Sequence, residues 1–215
     1  MCARYIIAKD EEEIKRIIER IKLDFNIDLS DIDSIGGILG DTSPSNTAPV
    51  ITAQNLYFLM KWGYPSLKEG QSPHINARSE TALILPTFSE AMLSRRCLIP
   101  ASAYYEWAMP IEKEGIPKAK RKTKYEFRLP DDEVMYMAGI YSGNGFAVLT
   151  RDAAPEILHI HDRMPVILPK NLADKWLNES HEALKEILRE AITSVEYAPL
   201  PSKDDEQPIQ MSLFS

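Results

Sequence analysis

Residues 96–107 read Arg-Cys-Leu-Ile-Pro-Ala-Ser-Ala-Tyr-Tyr-Glu-Trp and predict two consecutive β-strands, at 97–100 and 103–107. Apolar and aromatic side chains of this kind are enriched in strands. Because side chains alternate between the two faces of a strand, Glu106 lies on the face opposite Tyr105 and Trp107, and one of these faces must be the core. A carboxylate on a half-buried strand has a raised pKa and can act as a general acid or base. A solvent-exposed strand glutamate is the alternative.

Further short strands are predicted on both sides of this pair, at 50–53, 56–60, 125–128, 134–141, 146–150 and 195–197, with an extended segment at 163–168. The Ser-Gly-Asn-Gly sequence at 142–145 is a tight-turn signal. Residues 11–23 predict an amphipathic helix with Asp10 as its N-cap. Other helical segments are expected within 79–90 and at 153–160, 171–177 and 181–191. Short strands separated by loops, with helices at the ends, are typical of an α+β domain.

Composition is ordinary for a globular protein with one substantial core: 215 residues, 44% hydrophobic and 27% charged. No stretch approaches the roughly 20 apolar residues of a membrane span, and no apolar signal region follows Met1, so we expect a cytoplasmic protein without membrane contact. Cys2 and Cys97 are the only cysteines, which excludes a disulfide framework. Together with the four histidines they show no zinc-ligand spacing, and no metal or organic cofactor is predicted.

The net charge of −7 argues against a protein coated in basic charge for duplex DNA, but it leaves a local basic groove open. Residues 113–124 contain one acid, Glu114, and six basic residues: Lys113, Lys118, Lys120, Arg121, Lys122 and Lys124. This segment is either a solvated hairpin tip or an extension of a path for DNA.

The N-terminal sequence Met1-Cys2-Ala3-Arg4 can give rise to a reactive N-terminal cysteine. Methionine aminopeptidases remove Met1 when the second side chain is small, as cysteine is. Cys2 would then carry a free α-amine and a thiol on adjacent carbons, a pair that condenses with an aldehyde to an imine and then to a thiazolidine ring. The alternative is an incidental cysteine at a frayed terminus.

Two other stretches place polar groups in an apolar context, at 76–81 (Asn-Ala-Arg-Ser-Glu-Thr) and 161–166 (His-Asp-Arg-Met-Pro-Val). Taken singly, Asn76 and Arg78 are compatible with a capped turn and a salt bridge. His161 alone is compatible with a hydrogen-bonded structural histidine.

Together these motifs resemble those of the SRAP family (SOS response-associated peptidase). The resemblance runs from the N-terminus to about residue 168, and its marks stand in the family's order. They are Cys2 with Arg4, the loop at 43–51, Trp62-Gly63, residues 76–81, residues 96–101, Tyr105-Glu106-Trp107, Ala138-Gly139, Thr150, and His161 followed by Arg163-Met164-Pro165. Ala3 stands where the family usually has glycine.

The resemblance implies a single domain at 1–198, with mostly antiparallel short strands in a barrel-like sheet core and flanking helices. It also implies a sensor and shield of abasic sites in single-stranded DNA, which crosslinks itself to the opened sugar through Cys2 after Met1 is removed. Strand cleavage by a lyase step and autoproteolytic peptidase activity are further possibilities. The implied catalytic residues are Cys2, Asn76, Glu106 and His161. The implied DNA-binding residues are Arg4, Pro44, Trp62, Arg78, Thr150 and Arg163. Trp62 is either a stacking residue or a core aromatic.

Residues 199–215 are predicted to form a flexible tail. Its segment Gln210-Met211-Ser212-Leu213-Phe214 resembles the bacterial sliding-clamp-binding pentapeptide, in which a glutamine and two apolar residues dock in a groove. The alternative is a segment that packs on its own domain.

Two other functions remain open from the sequence. One is a cysteine hydrolase that uses Cys2 with His161 and either Asn76 or Glu106. The other is a non-covalent single-strand-binding or clamp-adaptor module. In each case we expect a monomer.

Overall fold

The computed structural model describes residues 3–27, 40–53, 56–108 and 122–201. Its strands are β1 (Tyr5–Ile6), β2 (Asp41–Thr42), β3 (Thr47–Thr52), β4 (Leu56–Trp62), β5 (Asn76–Arg78), β6 (Arg96–Ala101), β7 (Ala103–Ala108), β8 (Thr123–Arg128), β9 (Met135–Ser142), β10 (Gly145–Asp152), β11 (Arg163–Pro165), β12 (Ile167–Leu168) and β13 (Glu196–Pro199). Its helices are α1 (Glu11–Phe25), α2 (Ser79–Ala82), α3 (Ser89–Ser94), α4 (Lys170–Asn178) and α5 (Leu184–Arg189). The predicted turn at 54–55, most of the basic segment and the pentapeptide at 210–214 lie outside the described residues.

The strands form two sheets, which confirms the predicted α+β class. The smaller sheet has the order β13-β8-β7-β1-β2, with antiparallel neighbours throughout. The larger sheet has the order β11-β10-β4-β3-β6-β9-β12, with β5 added on β10. Because β10 also pairs with β9, the path through β10, β4, β3, β6 and β9 closes as a ring of mixed parallel and antiparallel pairs. The core lies between the sheets and the helices.

Helix α1 begins and ends where its local chemistry requires. The Asp10 side chain accepts a hydrogen bond from the Glu13 N–H at 2.8 Å, which confirms the predicted N-cap. The helix buries Ile14, Ile17, Ile21 and Phe25, spaced so that they share one face. It continues two residues past the predicted end and stops at Asn26, which takes a left-handed conformation (φ 50°).

Other segments are shorter or more interrupted than predicted. The helical segment expected within 79–90 is two helices, α2 and α3, because Pro86 lies between them and cannot continue a helix. The helix expected at 153–160 contains only a 3-10 turn, Pro155–Ile157. The extended segment at 163–168 is split at Val166, whose N–H donates to Leu149 in β10. No helix in the described ranges is long and apolar enough to cross a membrane.

Arg96 joins two helices to the central sheet. Its buried guanidinium donates hydrogen bonds to backbone carbonyls at the end of α3 (Met92 and Leu93, both 2.9 Å) and at the end of α4 (Trp176 and Glu179). The last carbonyls of a helix have no partner within the helix. Arg96 thus donates hydrogen bonds to the ends of two helices. In return, the carbonyl oxygens offset the cost of burying the positive charge of the guanidinium.

Replacement of Arg96 by methionine should therefore destabilise the fold. The substitution keeps an apolar stem but leaves several carbonyls without their donor, and we expect a loss of at least about 3 kcal/mol in the free energy of unfolding. Urea denaturation measures it. Arg95→Met is the matched control, because Arg95 is partly exposed and pairs with the exposed Glu90, and it should cost less than about 1 kcal/mol. Equal losses would contradict this role for Arg96.

Candidate functional site

The N-terminal segment lies beside β7. Tyr5 pairs with Tyr104 and Ile6 with Ala103, and the Tyr105 N–H donates to the Arg4 carbonyl at 2.9 Å. Because the pairing is antiparallel, the chain runs toward its first residues in β1 as β7 runs toward Glu106. Ala3, the first described residue, therefore lies at the Glu106 end of β7. Cys2 itself lies outside the described residues.

Strand β7 is buried on both of its faces. Tyr104 is fully buried in the main core, and Tyr105, on the opposite face, packs in a second cluster with Ile6 and Ala103. Glu106 is only 4% exposed. Burial raises the pKa of Glu106 to about 7, from an ordinary value of 4.5. Its carboxyl group is therefore suited to both give and accept a proton near neutral pH.

His161 faces Glu106 from another segment of the chain. Its Nε2 lies 3.9 Å from Oε2 of Glu106, and its Nδ1 accepts a hydrogen bond from the Arg163 N–H at 3.0 Å. The neutral ring therefore carries its proton on Nε2, on the side of Glu106. Burial lowers the pKa of His161, so this neutral form is favoured near pH 7. Asp162 Oδ1, also 3.0 Å from Nδ1, forms an ion pair with the ring when it is protonated.

Strand β10 places four more of the predicted residues. Asn76 in β5 pairs with Val148 of β10, and Arg78 pairs with Thr150. On the other side of β10, Thr150 pairs with Pro165, and Asp152 pairs with Arg163 of β11. Arg78 is exposed, whereas Asn76 is half-buried and the Oδ1 atom of its side chain is buried.

Arg163 is engaged inside the protein. Its guanidinium donates to both carboxylate oxygens of Glu80, at 2.8 and 2.9 Å, and to the Thr150 carbonyl at 2.7 Å. It also contacts Asp152. Arg163 and Thr150 are both buried. In this conformation Arg163 joins β11, β10 and α2, and its contacts fix the segment that carries His161.

Trp62 is fully buried, so its ring has the position of a core aromatic, one of the two alternatives that the sequence leaves open. Its indole N–H donates to the Ile75 carbonyl at 2.8 Å, next to Asn76. Its ring stacks on Phe146, with centroids 6.3 Å apart, and lies 5.0 Å from the ring of Tyr5. Pro44 is half-buried in the turn between β2 and β3.

The second cysteine is not a candidate nucleophile. Cys97 is fully buried in β6, and burial raises the pKa of its thiol. A buried thiol of this kind is inert, because the thiolate is the reactive form.

The last two basic residues of the predicted basic segment, Lys122 and Lys124, lie within the described residues. Lys122 is exposed, and besides the dominant effect of burial its positive charge lowers the pKa of both Glu106 and His161. Lys124 places its Nζ 3.6 Å from the ring centroid of Tyr105. The run of basic residues at 113–124 is the sequence feature that points to this region, but the sequence predicted no individual role for either lysine.

A cation–aromatic group lies on the same edge of the sheet. The Arg4 guanidinium is 5.9 Å from the ring centroid of Trp107, and Lys124 is 5.8 Å from the same ring. Asp41 pairs with both cations, at 3.1 Å from Arg4 and 3.5 Å from Lys124. Arg4 is partly exposed, so its positive charge faces solvent next to the N-terminal segment.

Comparisons with known proteins agree on a family and a fold. The model of the family described as SOS response associated peptidase (SRAP) matches residues 1–203. The abasic site processing protein YoqW of Bacillus subtilis is 30% identical over 200 residues, which cover 83% of this chain and 80% of YoqW. The abasic site processing protein YedK of Escherichia coli is 29% identical over 126 residues, or 55% of this chain and 53% of YedK. A solved structure of a protein from Bacteroides thetaiotaomicron is similar in fold, with a TM-score of 0.71 at 23% identity, over 93% of this chain and 92% of that one.

The raised pKa of Glu106 predicts a pH-dependent stability. Below pH 4.5 the carboxyl is protonated in the folded and unfolded states alike. Between pH 4.5 and about 7 it ionises only in the unfolded state, so folding becomes less favourable as pH rises. Relative to Glu106→Gln, the wild type should lose roughly 3 kcal/mol between pH 4 and pH 8, measured by urea denaturation.

Glu126→Gln provides the matched control on the neighbouring strand. Although burial alone would raise the pKa of Glu126, its ion pairs with Arg128 and Lys9 lower it. Its contribution to stability therefore has the opposite sign and is lost as pH falls. If the free energy of unfolding of the wild type changes with pH in the same way as that of Glu106→Gln between pH 4 and pH 8, the raised pKa of Glu106 is contradicted.

Proposed function

Because the chain belongs to the SOS response associated peptidase (SRAP) family, we propose that it processes abasic sites in single-stranded DNA by covalent capture through Cys2. The observation that carries this proposal is the pairing of β1 with β7. It brings Ala3, the residue bonded to Cys2, to the end of β7 where Glu106 lies 3.9 Å from His161. The names of relatives such as YoqW and YedK support DNA with abasic sites as the substrate.

The chemistry requires Cys2 to be the first residue, so Met1 has to be removed. The Cys2 amine attacks C1′ of the ring-opened sugar, and loss of one water gives an imine. The thiol then adds to the imine carbon, its proton moves to the nitrogen, and the five-membered thiazolidine ring closes. An α-amine with an ordinary pKa of about 7.7 leaves a useful neutral fraction near pH 7.

Glu106 is proposed to move the protons of these steps. With a pKa of about 7 it is present in both forms at neutral pH. Its protonated form donates to the ring oxygen as the sugar opens and to the hydroxyl that leaves as water. Its ionised form takes the proton released by the attacking amine. Proton transfer by a positioned side chain typically contributes about 10²- to 10⁴-fold in rate.

His161 and Asn76 are proposed to position the opened sugar. The Nε2–H of neutral His161 points into the site and can donate to a sugar hydroxyl or to a 3′ phosphate oxygen. The same group can act as the acid if the imine proceeds to strand cleavage. Asn76 is half-buried on β5 and can orient the amine or a sugar oxygen through its amide.

The DNA-binding residues divide into three roles. Arg4 and Arg78 have side chains that reach solvent and are proposed to hold phosphates, together with Lys122. Pro44, half-buried in its turn, is proposed to contact a flanking base. The buried residues Trp62, Thr150 and Arg163 are proposed to act by holding β4, β10 and β11 in place, so that their effect on DNA is indirect.

A crosslinking assay tests the covalent mechanism. Single-stranded oligonucleotides carrying an abasic site, a reduced abasic site or an unmodified base are incubated with the protein and resolved by denaturing gel. We expect an adduct only with the aldehyde-bearing strand, and no adduct from Cys2→Ala or from a protein whose N-terminus is extended. Cys2→Ala and Cys2→Ser both keep the amine, so each can form an imine, but without the thiol neither forms the stable ring and the imine does not survive the denaturing gel. An adduct formed by the extended protein would rule out the thiazolidine.

The rate of the same reaction tests Glu106. Glu106→Gln should slow adduct formation by about 10²-fold or more, because the amide cannot transfer the proton. Glu126→Gln is the control on the adjacent strand and should keep the wild-type rate. Equal rates for the wild type and Glu106→Gln would contradict the proposed role of the carboxyl group.

A cysteine peptidase is the second candidate, favoured by the neutral His161 beside an acidic group. In that function Cys2 needs its thiol but not its amine. A peptidase would therefore keep its activity after the Cys2 amine is blocked, whereas the crosslinking protein loses it.

The C-terminal pentapeptide supports a separate proposal, recruitment by a sliding clamp. The proposal rests on the sequence of residues 210–214 alone. Replacement of Leu213 and Phe214 by alanine should abolish retention on an immobilised bacterial clamp and leave crosslinking unchanged. Equal retention of both proteins would end this proposal.

A further inference from the structure

Three aromatic side chains form a partly exposed group at the edge of the smaller sheet: Tyr125 of β8, His159 and Tyr197 of β13. We call this group the aromatic shelf. The ring centroid of His159 lies 6.5 Å from that of Tyr125 and 5.8 Å from that of Tyr197, and the two tyrosine rings are 6.3 Å apart. His159 is exposed, Tyr197 is 39% exposed and Tyr125 is half-buried.

The aromatic shelf is continuous with the candidate site. Tyr125 is the cross-strand partner of Glu106, so the two side chains project from the same face of the sheet. His159 is two residues before His161, whose ring faces Glu106. Neighbouring strands are about 5 Å apart, so the shelf starts about 5 Å from Glu106. Tyr197 lies two strands away and opposite Phe127, two residues along from Tyr125, which places its backbone roughly 12 Å from that of Glu106. A nucleotide next to a sugar held at Glu106 falls within this distance.

The rings are held in place by contacts beneath and beside them. Tyr197 stacks on the buried Phe127, with centroids 5.7 Å apart and planes at 29°. Its hydroxyl donates to the Glu156 carbonyl at 3.4 Å. A ring that is already fixed loses little conformational entropy when a ligand stacks on it.

We propose that the aromatic shelf stacks on the base of a nucleotide that flanks the abasic site. This inference rests on the proposed function, because it takes the sugar to be bound at Glu106 and His161. Aromatic side chains bind single strands by stacking on the faces of the bases, with little dependence on sequence. The exposed acid Glu156, whose backbone carbonyl accepts the hydrogen bond of Tyr197, favours an uncharged base next to the shelf over a phosphate. The phosphates would bind on the basic side of the site, where Lys122 lies.

A binding experiment with a non-reactive abasic analogue tests the shelf. Fluorescence anisotropy is measured with single strands that carry one tetrahydrofuran residue between two bases, or a second tetrahydrofuran in place of the 5′ or the 3′ base. Removal of the base on one side should weaken binding to the wild type by about 5- to 150-fold, the range expected for one stacked base. Removal of the base on the other side should have a smaller effect.

Variants of Tyr197 assign the effect to the shelf. Tyr197→Leu should bind the strand with both bases as weakly as the wild type binds the strand that lacks the stacked base. Removal of that base should then cause no further loss of affinity in the variant. Tyr197→Phe keeps the ring and should behave as the wild type. Tyr141→Leu, a half-buried tyrosine at the end of β9, is the control and should keep the full dependence on the flanking base. Thermal melting of each variant checks that it folds.

The outcomes separate this inference from the function on which it rests. If the wild type crosslinks to abasic DNA but Tyr197→Leu keeps its sensitivity to the flanking base, the shelf proposal is wrong and the covalent mechanism stands. The same holds if the wild type responds equally to loss of either base. If the wild type binds none of the strands and forms no adduct, both proposals fail together.

Discussion

The arrangement of the site depends on one short stretch of backbone pairing, in which the two residues of β1 lie against β7. The hydrogen bond from the Tyr105 N–H to the Arg4 carbonyl extends this pairing toward the N-terminus. Tyr5 anchors it, because its fully buried ring packs against Trp62. A terminal segment would otherwise fray. Here it is held in register with the strand that carries Glu106, so the N-terminal end proposed to react and the carboxyl group proposed to assist it are positioned by the same element.

The electrostatics of the site follow from burial. Glu106 lies on the same face of β7 as the fully buried Tyr104 and is itself almost completely covered, and this burial raises its pKa to about 7. A buried carboxyl that must ionise lowers the stability of the fold. Interactions elsewhere, such as the hydrogen bonds of Arg96 to two helix ends, offset that cost. Burial also lowers the pKa of His161, so the pair holds a neutral imidazole next to an acid that titrates near neutral pH.

The sequence predicted the features that depend on local chemistry. The Asp10 N-cap, the apolar face of α1 and most strands agree with the structure, because capping and periodicity are properties of adjacent residues. The approach of His161 to Glu106 followed only from the resemblance to a family, since no spacing along the chain brings residues 55 positions apart together. That both faces of β7 are buried was not predictable from alternation, because the residues that cover them come from distant segments.

Other positions show the same limit. An arginine or a tryptophan in a DNA-binding motif looks like a ligand contact, but Arg163 and Trp62 are packed inside the protein. Their partners, Glu80 and Phe146, lie far from them in sequence and become neighbours only through the pairing of β10. The aromatic shelf likewise depends on the registers of β8 and β13. Such contacts need the register of long-range pairs, which the sequence pattern alone does not supply.

The most direct test of the account is to locate the bond between protein and DNA. The adduct formed with an abasic single strand is digested with nuclease and protease, and the modified peptide is sequenced by tandem mass spectrometry. Thiazolidine formation predicts a peptide that begins at Cys2, carries the sugar fragment on that residue, and has lost one water relative to the sum of its two parts. Attachment to a lysine such as Lys122 or Lys124, or to a chain that retains Met1, would contradict it.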